Sequence, residues 1–154
     1  MSKSILCVID NSEELRVAVR FAALLARRQQ ADVAFLYTLE PAAFQHWQAV
    51  EQLMRAESRA EAETAMQKWA IMVEGLTGNR PVSYIREGKA REELLKLLEE
   101  EPEIVHLVLA TSPTPDNPGP LVSALTSGKL LGKLRVPLTI LSGRLSDAEV
   151  DALS

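Results

Sequence analysis

Few side chains in this sequence are suited to chemistry, and none of them forms a recognisable catalytic centre. The two histidines, His46 and His106, are distant in the chain, with no second ligand at metal spacing. A hydrolase needs a nucleophile within hydrogen-bond reach of a base, and neither histidine has such a partner nearby. The lone cysteine, Cys7, lies inside an apolar run, which is typical of a buried structural thiol. We therefore expect no metal site and no enzymatic activity.

Polar and small residues that directly follow apolar runs are the remaining candidates for binding a ligand. Asp10 and Ser12 follow the first run, Gly88 follows the third and Thr111 follows the fourth. Capping of the next helix would account for Asp10 and Ser12 without a ligand. A positive φ angle would account for Gly88 in the same way. Both interpretations stay open from the sequence alone.

These residues depend on alternating strands and helices for their positions. Short apolar runs rich in β-branched residues predict buried parallel strands at residues 5–9, 33–39, 82–85, 104–110 and 136–141. Apolar residues at helical spacing predict helices over residues 15–28, 47–76, 90–101 and 121–134, although Gly128 and Gly132 weaken the last one. Residues 146–153 are read either as a short capped helix or as a frayed tail.

The predicted fold is an α/β domain, an open five-stranded parallel sheet with helices on both faces. The chain has 154 residues, 47% of them hydrophobic and 25% charged, which fits one globular core over residues 1–144 and a C-terminal tail over 145–154. The net charge of −4 argues against nucleic acid as a partner. No apolar run is long enough for a membrane span or a signal peptide, so the cytoplasm is the expected location.

Three stretches resemble the universal stress protein family when they are taken in order. They are Ile9-Asp10-Asn11-Ser12-Glu13 after the first strand, Ile85-Arg86-Glu87-Gly88 after the third, and Val136-Pro137-Leu138-Thr139-Ile140 as the fifth. The resemblance implies an adenine nucleotide alpha hydrolase-like fold with strand order 3-2-1-4-5. In that order the switch point, where ligands bind such sheets, is flanked by Asp10 and Thr111.

The phosphate-binding motif of this family is degenerate here. Members that bind ATP carry Gly-x-x-Gly and, nine residues later, Gly-Ser or Gly-Thr, because glycine lets backbone N–H groups crowd around a phosphate. Counting back from the fifth strand, these positions hold Thr111, Thr114, Ala124 and Leu125. The loop over residues 111–120 also carries four prolines, which have no N–H, and the anionic Asp116. We therefore expect this loop to offer few backbone N–H donors to a triphosphate.

Part of a nucleotide site remains by position. Asp10 matches the family aspartate near the nucleotide, Thr38 and Leu39 match the strand end beside the adenine, and Gly88 matches a rim glycine. A gapped alignment places Thr126-Ser127-Gly128 at the Gly-Ser step, where two hydroxyl groups would lie at a helix start near a phosphate. A bound nucleotide would thus contact Asp10, Ser12, Thr38, Leu39, Gly88, Thr111, Thr126 and Ser127.

Two functions follow from the resemblance. The first is a non-catalytic stress-response module with no cofactor, which forms a homodimer through the fifth strand at Val136, Leu138 and Ile140 or contacts another partner. The second is a regulator that binds ATP or AMP through Asp10, the second strand end and the start of the fourth helix. The proline-rich loop could also contact a peptide, although a rigid surface loop is the simpler interpretation. A C-terminal tail covering the fifth strand is the alternative to a dimer.

Overall fold

A computed structural model describes residues 2–40 and 48–153 and shows a five-stranded parallel sheet of order β3-β2-β1-β4-β5. The strands are β1 (Ser4–Val8), β2 (Asp32–Leu39), β3 (Val82–Glu87), β4 (Ile104–Ala110) and β5 (Leu138–Leu141). The helices are α1 (Leu15–Gln29), α2 (Gln48–Thr77), α3 (Ala90–Glu100), α4 (Pro120–Thr126) and α5 (Asp147–Leu153), with a 3₁₀ turn at Leu131–Lys133. The predicted fold class and strand order are confirmed.

The two faces of the sheet carry separate hydrophobic cores. Successive residues of a strand point to opposite faces, so Ile5 and Cys7 pack under α1 while Leu6 and Val8 pack under α3 and α4. Every residue of β1 is buried, as its continuous apolar run predicts for the central strand of a parallel sheet. Helices on both faces therefore pack against β1 and β4, the strands that precede the candidate residues Asp10 and Thr111.

Cys7 should be inert in the native protein. Its side chain is fully buried, with Sγ 3.7 Å from the Ala18 carbonyl oxygen, and this burial raises the pKa of the thiol to about 12. Because the thiolate is the reactive species, we expect no alkylation by iodoacetamide at pH 8 under native conditions and rapid alkylation in urea. Native labelling at the rate of an exposed thiol would contradict the buried assignment.

The fourth helix is shorter than predicted. It ends at Thr126 rather than at residue 134, and only the 3₁₀ turn at Leu131–Lys133 follows it. Gly128 has φ +51°, a left-handed conformation that interrupts an α-helix. The Thr126 hydroxyl donates to the Val122 carbonyl, 2.7 Å away, within the last turn. Gly128 therefore keeps the helix from continuing instead of merely weakening it.

Strand boundaries also differ from the prediction. β1 is one residue earlier than predicted, and β3 continues to Glu87 because Arg86 and Glu87 pair with the end of β2. β5 begins at Leu138 rather than at Val136, since Pro137 has no N–H to contribute to a ladder. Val136 is buried in the core under α3 and α4, so its assignment to an exposed dimer edge is wrong.

The C-terminal segment is a helix, not a frayed tail. Ser146 and Glu149 form a reciprocal capping box: the Glu149 N–H donates to Ser146 Oγ and the Ser146 N–H donates to Glu149 Oε1, each at 3.1 Å. Val150 is fully buried in the core under α1. The segment therefore belongs to the folded domain.

Arg135 stabilises the end of α3, which no sequence pattern indicated. Its guanidinium donates to three carbonyl oxygens: Nε to that of Leu98 at 2.8 Å, and Nη2 to those of Ile104 at 2.9 Å and Glu101 at 3.2 Å. The last carbonyls of a helix have no partner within the helix. One side chain therefore supplies hydrogen bonds to the free carbonyl oxygens where α3 leads into β4.

Candidate functional site

A cleft lies at the switch point, where the chain leaves β1 and β4 for opposite faces of the sheet. Its volume is about 440 Å³, within the range of small-molecule sites. The ends of β1 and β2, the start of α3 and the start of α4 line it. A smaller cavity of about 60 Å³ adjoins it between α1 and α4 and shares Asp10. The fold thus creates a binding-sized cleft where the sequence predicted one.

Asp10 and Ser12 form a local turn at the mouth of this cleft. Asp10 Oδ1 accepts hydrogen bonds from the Ser12 backbone N–H, at 2.9 Å, and from the Ser12 hydroxyl. The N-cap position of α1 is Glu14, which makes no side-chain cap bond. The interpretation of Asp10 and Ser12 as helix caps is therefore wrong. Within the described residues Oδ2 of Asp10 has no hydrogen-bond partner, so this oxygen is available to a ligand.

Thr38, Leu39 and Gly88 lie together at the ends of β2 and β3. Thr38 lines the cleft, whereas Leu39 is buried and its carbonyl accepts the Gly88 N–H at 2.8 Å. Gly88 has φ +146°, and a Cβ there would lie 2.6 Å from Glu93 Oε2. The positive φ angle expected for Gly88 is confirmed, and it accounts for this glycine without a ligand.

Thr111 is directed toward β5. Its N–H donates to the Leu141 carbonyl at 2.8 Å, and its hydroxyl oxygen accepts the Gly143 N–H at 3.2 Å. Neither cavity at the switch point includes Thr111. The structure therefore uses this residue to join the ends of β4 and β5.

Thr126 and Ser127 lie at the wrong end of α4 for the proposed phosphate contact. Thr126 is the last residue of the helix, and the Ser127 hydroxyl donates to the Ala124 carbonyl at 3.3 Å. Neither residue lines the two switch-point cavities, which meet the first turn of α4 instead. Their placement at a helix start is wrong, because α4 begins earlier, at Pro120.

The loop between β4 and α4, residues 111–120, uses almost all of its own backbone donors. Four of its ten residues are prolines, which have no N–H. Five others donate within the protein: Thr111 to Leu141 O, Ser112 to Pro118 O, Thr114 to Ser112 Oγ, Asn117 to Thr114 O and Gly119 to Asn117 Oδ1. Of the six N–H groups in this loop, that of Asp116 alone has no acceptor among the described residues. A phosphate would find no group of converging N–H donors here.

Two cations that the sequence analysis missed also line the cleft. Lys89 and Arg91 stand at the start of α3, and neither side chain makes an ion pair or hydrogen bond within the described residues. Asp10 and Glu40 supply negative charge to the same cleft. The cleft is therefore lined by charges of both signs. The signal that could have identified the cations was their place directly after Gly88.

Other features of the described residues do not form a site. His106 is half-buried on β4, with Nε2 2.7 Å from Thr139 Oγ1 on β5, and burial lowers the pKa of its imidazole. His46 lies outside the described residues. No group of three or more His, Cys, Asp or Glu side chains in the described part of the chain could hold a metal ion. No described helix has both the length and the apolar character needed to cross a bilayer.

The open parallel sheet of order 3-2-1-4-5 with a cleft at its switch point is the arrangement of the adenine nucleotide alpha hydrolase-like class of fold, to which the universal stress proteins of similar structure belong. The model of the Universal stress protein family matches residues 1–142. The chain belongs to this family. No curated protein sequence matches it.

Solved structures share the fold at low sequence identity. The universal stress protein UspA from Lactobacillus plantarum is 21% identical, with a TM-score of 0.73, over 90% of this chain and 97% of its own. A universal stress protein crystallised in complex with cAMP is 13% identical, with a TM-score of 0.64, over 92% and 98%. One from Archaeoglobus fulgidus in complex with dAMP is 16% identical, with a TM-score of 0.62, over 90% and 96%.

Proposed function

We propose that this chain is a non-catalytic stress-response module that has lost triphosphate binding and acts by self-association or partner contacts in the cytoplasm. The observation that carries the proposal is the loop at residues 111–120, whose backbone donors are absent at the prolines or already bonded within the protein. Asp116 adds a negative charge that repels a triphosphate. Without phosphate positioning, ATP hydrolysis loses its main source of rate acceleration.

Magnesium ATP at 1 mM is expected to leave the melting temperature unchanged. A site with micromolar affinity would add about 4 kcal/mol of stability by mass action. For a domain of this size that corresponds to a rise of about 10 °C, whereas we expect less than about 1 °C. The measurement is thermal unfolding with and without nucleotide, with magnesium chloride alone as the control. A saturable rise with ATP would refute the loss of triphosphate binding.

The outer edge of β5 supports self-association. The Leu107 N–H donates to the Pro137 carbonyl and the Thr111 N–H to the Leu141 carbonyl. Residues 137 and 141 thus face β4, and alternation along the strand turns the backbone groups of Leu138 and Ile140 outward. No described element pairs with this edge, because α5 packs on α1 instead. A second copy adding its own β5 would satisfy these groups.

The opposite sheet edge is less suited to pairing. β3 carries Arg86 and Glu87, which form ion pairs with Glu100 at 3.4 Å and Arg55 at 3.8 Å. Charged side chains on an edge strand discourage addition of another strand. β5 has the sequence LTIL, without a charge, and Ile140 is exposed. These differences support β5 rather than β3 as the edge of the proposed dimer.

A second candidate function is binding of an adenine nucleotide with one phosphate in the cleft. The unpaired Lys89 and Arg91 favour it, because they can hold one phosphate without the loop after β4. Two structures with the same fold were crystallised with cAMP or dAMP. Calorimetry with AMP tests this candidate: Lys89→Gln should weaken AMP binding about tenfold, while Lys96→Gln, farther along α3, should not. No heat of binding with the wild-type protein would rule it out.

A further inference from the structure

The last segment of the chain packs against the loop that has lost its phosphate donors. Residues 143–153, here called the C-terminal strap, follow directly after the region that the family model matches. The strap consists of a turn after β5 and the helix α5. Its two ends make different contacts: the turn touches the loop at residues 111–120, and α5 docks on α1.

The turn of the strap is in direct backbone contact with the loop. A Cβ added at Gly143 would lie 2.0 Å from the Thr111 carbonyl oxygen, so only glycine allows this approach. The Gly143 N–H also donates to the Thr111 hydroxyl oxygen at 3.2 Å. The next residue, Arg144, donates from Nε to the Pro113 carbonyl at 3.3 Å. The strap thus contacts two residues at the beginning of the loop, Thr111 and Pro113.

The helix of the strap is fastened to α1 by ion pairs around one buried side chain. Arg20 and Asp151 form a bidentate pair, with Nε to Oδ1 at 2.7 Å and Nη2 to Oδ2 at 3.0 Å. Arg16 donates to the Leu145 carbonyl at 2.8 Å and lies 3.4 Å from Asp147. Val150 anchors the helix in the core between these pairs. Because the side chains are partly exposed, added salt should weaken the pairs.

We propose that the C-terminal strap is a conformational latch, in which the Arg16 and Arg20 pairs hold α5 on α1, keep Gly143 in contact with Thr111 and so restrain the loop at residues 111–120. Few residues separate the two contacts, so displacing α5 removes the support from the loop. High salt weakens the pairs that hold the strap, and the loop amides then exchange faster with solvent. The inference rests on the proposed function in one respect, since the restrained loop is the one assigned there as unable to bind a triphosphate.

Hydrogen exchange followed by mass spectrometry tests the latch. Asp147→Asn with Asp151→Asn keeps the side-chain shapes and removes both acidic partners of the strap. We expect amides of residues 111–120 to exchange about tenfold faster than in the wild-type protein. Glu63→Gln, which removes the exposed Arg59 pair on α2, is the matched control and should leave the loop unchanged. In 1 M sodium chloride the wild-type loop should approach the rate of the double variant.

Two outcomes would overturn the latch. Faster exchange in α5 with an unchanged loop would show that the strap does not restrain the loop. Unchanged exchange in both segments would show that the ion pairs do not hold the strap. Exchanging the charges, with Arg20→Asp and Asp151→Arg together, should restore protection if the pair itself matters. ATP binding by the wild-type protein would instead defeat the proposed function and leave these exchange results as they are.

Discussion

Gly143→Ala is expected to lower the free energy of unfolding by about 3 kcal/mol, a typical cost of forcing a methyl group into a packed contact. The added Cβ would lie 2.0 Å from the Thr111 carbonyl oxygen and 2.8 Å from the Glu14 Cβ. The first of these neighbours is backbone, which cannot rotate away, so the strap and the loop must separate. Urea unfolding followed by circular dichroism measures the change.

Two other glycines provide matched controls for Gly143. A Cβ at Gly132 would meet nothing within 4 Å, so Gly132→Ala should be nearly neutral. Gly75 lies inside α2 with equally open surroundings, and Gly75→Ala should stabilise the protein by about 0.5–1 kcal/mol, because alanine favours a helix interior. If Gly143→Ala proved as mild as Gly132→Ala, the close approach of the strap to the loop would be disproved.

Ile140→Lys is expected to weaken self-association about 100-fold. The substitution places a charge on the β5 edge, where pairing with a second copy would bury it. Sedimentation velocity across a range of concentrations should show a dimer for the wild-type protein and a monomer for the variant. Ile71 is more exposed than Ile140, at 64% against 37%, but it lies on α2, so Ile71→Lys should remain dimeric. A wild-type monomer at every concentration would exclude the β5 dimer.

The fold was predictable because each strand is a short apolar run between polar boundaries. β1 and β4 are buried on both faces, so their sequences needed no alternation to be recognised. The errors fell at glycine and proline. Gly128 ended α4 where helical spacing continued, and Pro137 delayed the start of β5. Spacing reports which residues share a face, but local backbone conformation decides where an element stops.

The candidate site was predictable only in part. Asp10 reaches the cleft because it follows the end of β1, and Thr38 because it lies near the end of β2. Thr111 also follows a central strand, but its hydroxyl group bonds to Gly143 in the turn after β5 and does not line the cleft. Thr126 and Ser127 were misplaced because the true start of α4 at Pro120 was not recognised. Lys89 and Arg91 were overlooked because charged residues at a helix start are common and carry no motif.

The amino-acid sequence by itself determined the order of strands and helices, the two-faced core and the loss of glycines after β4, since composition and spacing express each of these locally. Only the tertiary structure decided which acceptors bind the remaining N–H groups of residues 111–120 and which segments pack against this loop. Those answers depend on contacts between residues far apart in the chain, such as Gly143 with Thr111 and Arg20 with Asp151. Such contacts leave no periodic pattern, because they arise when the completed sheet brings the ends of β4, β5 and α1 together.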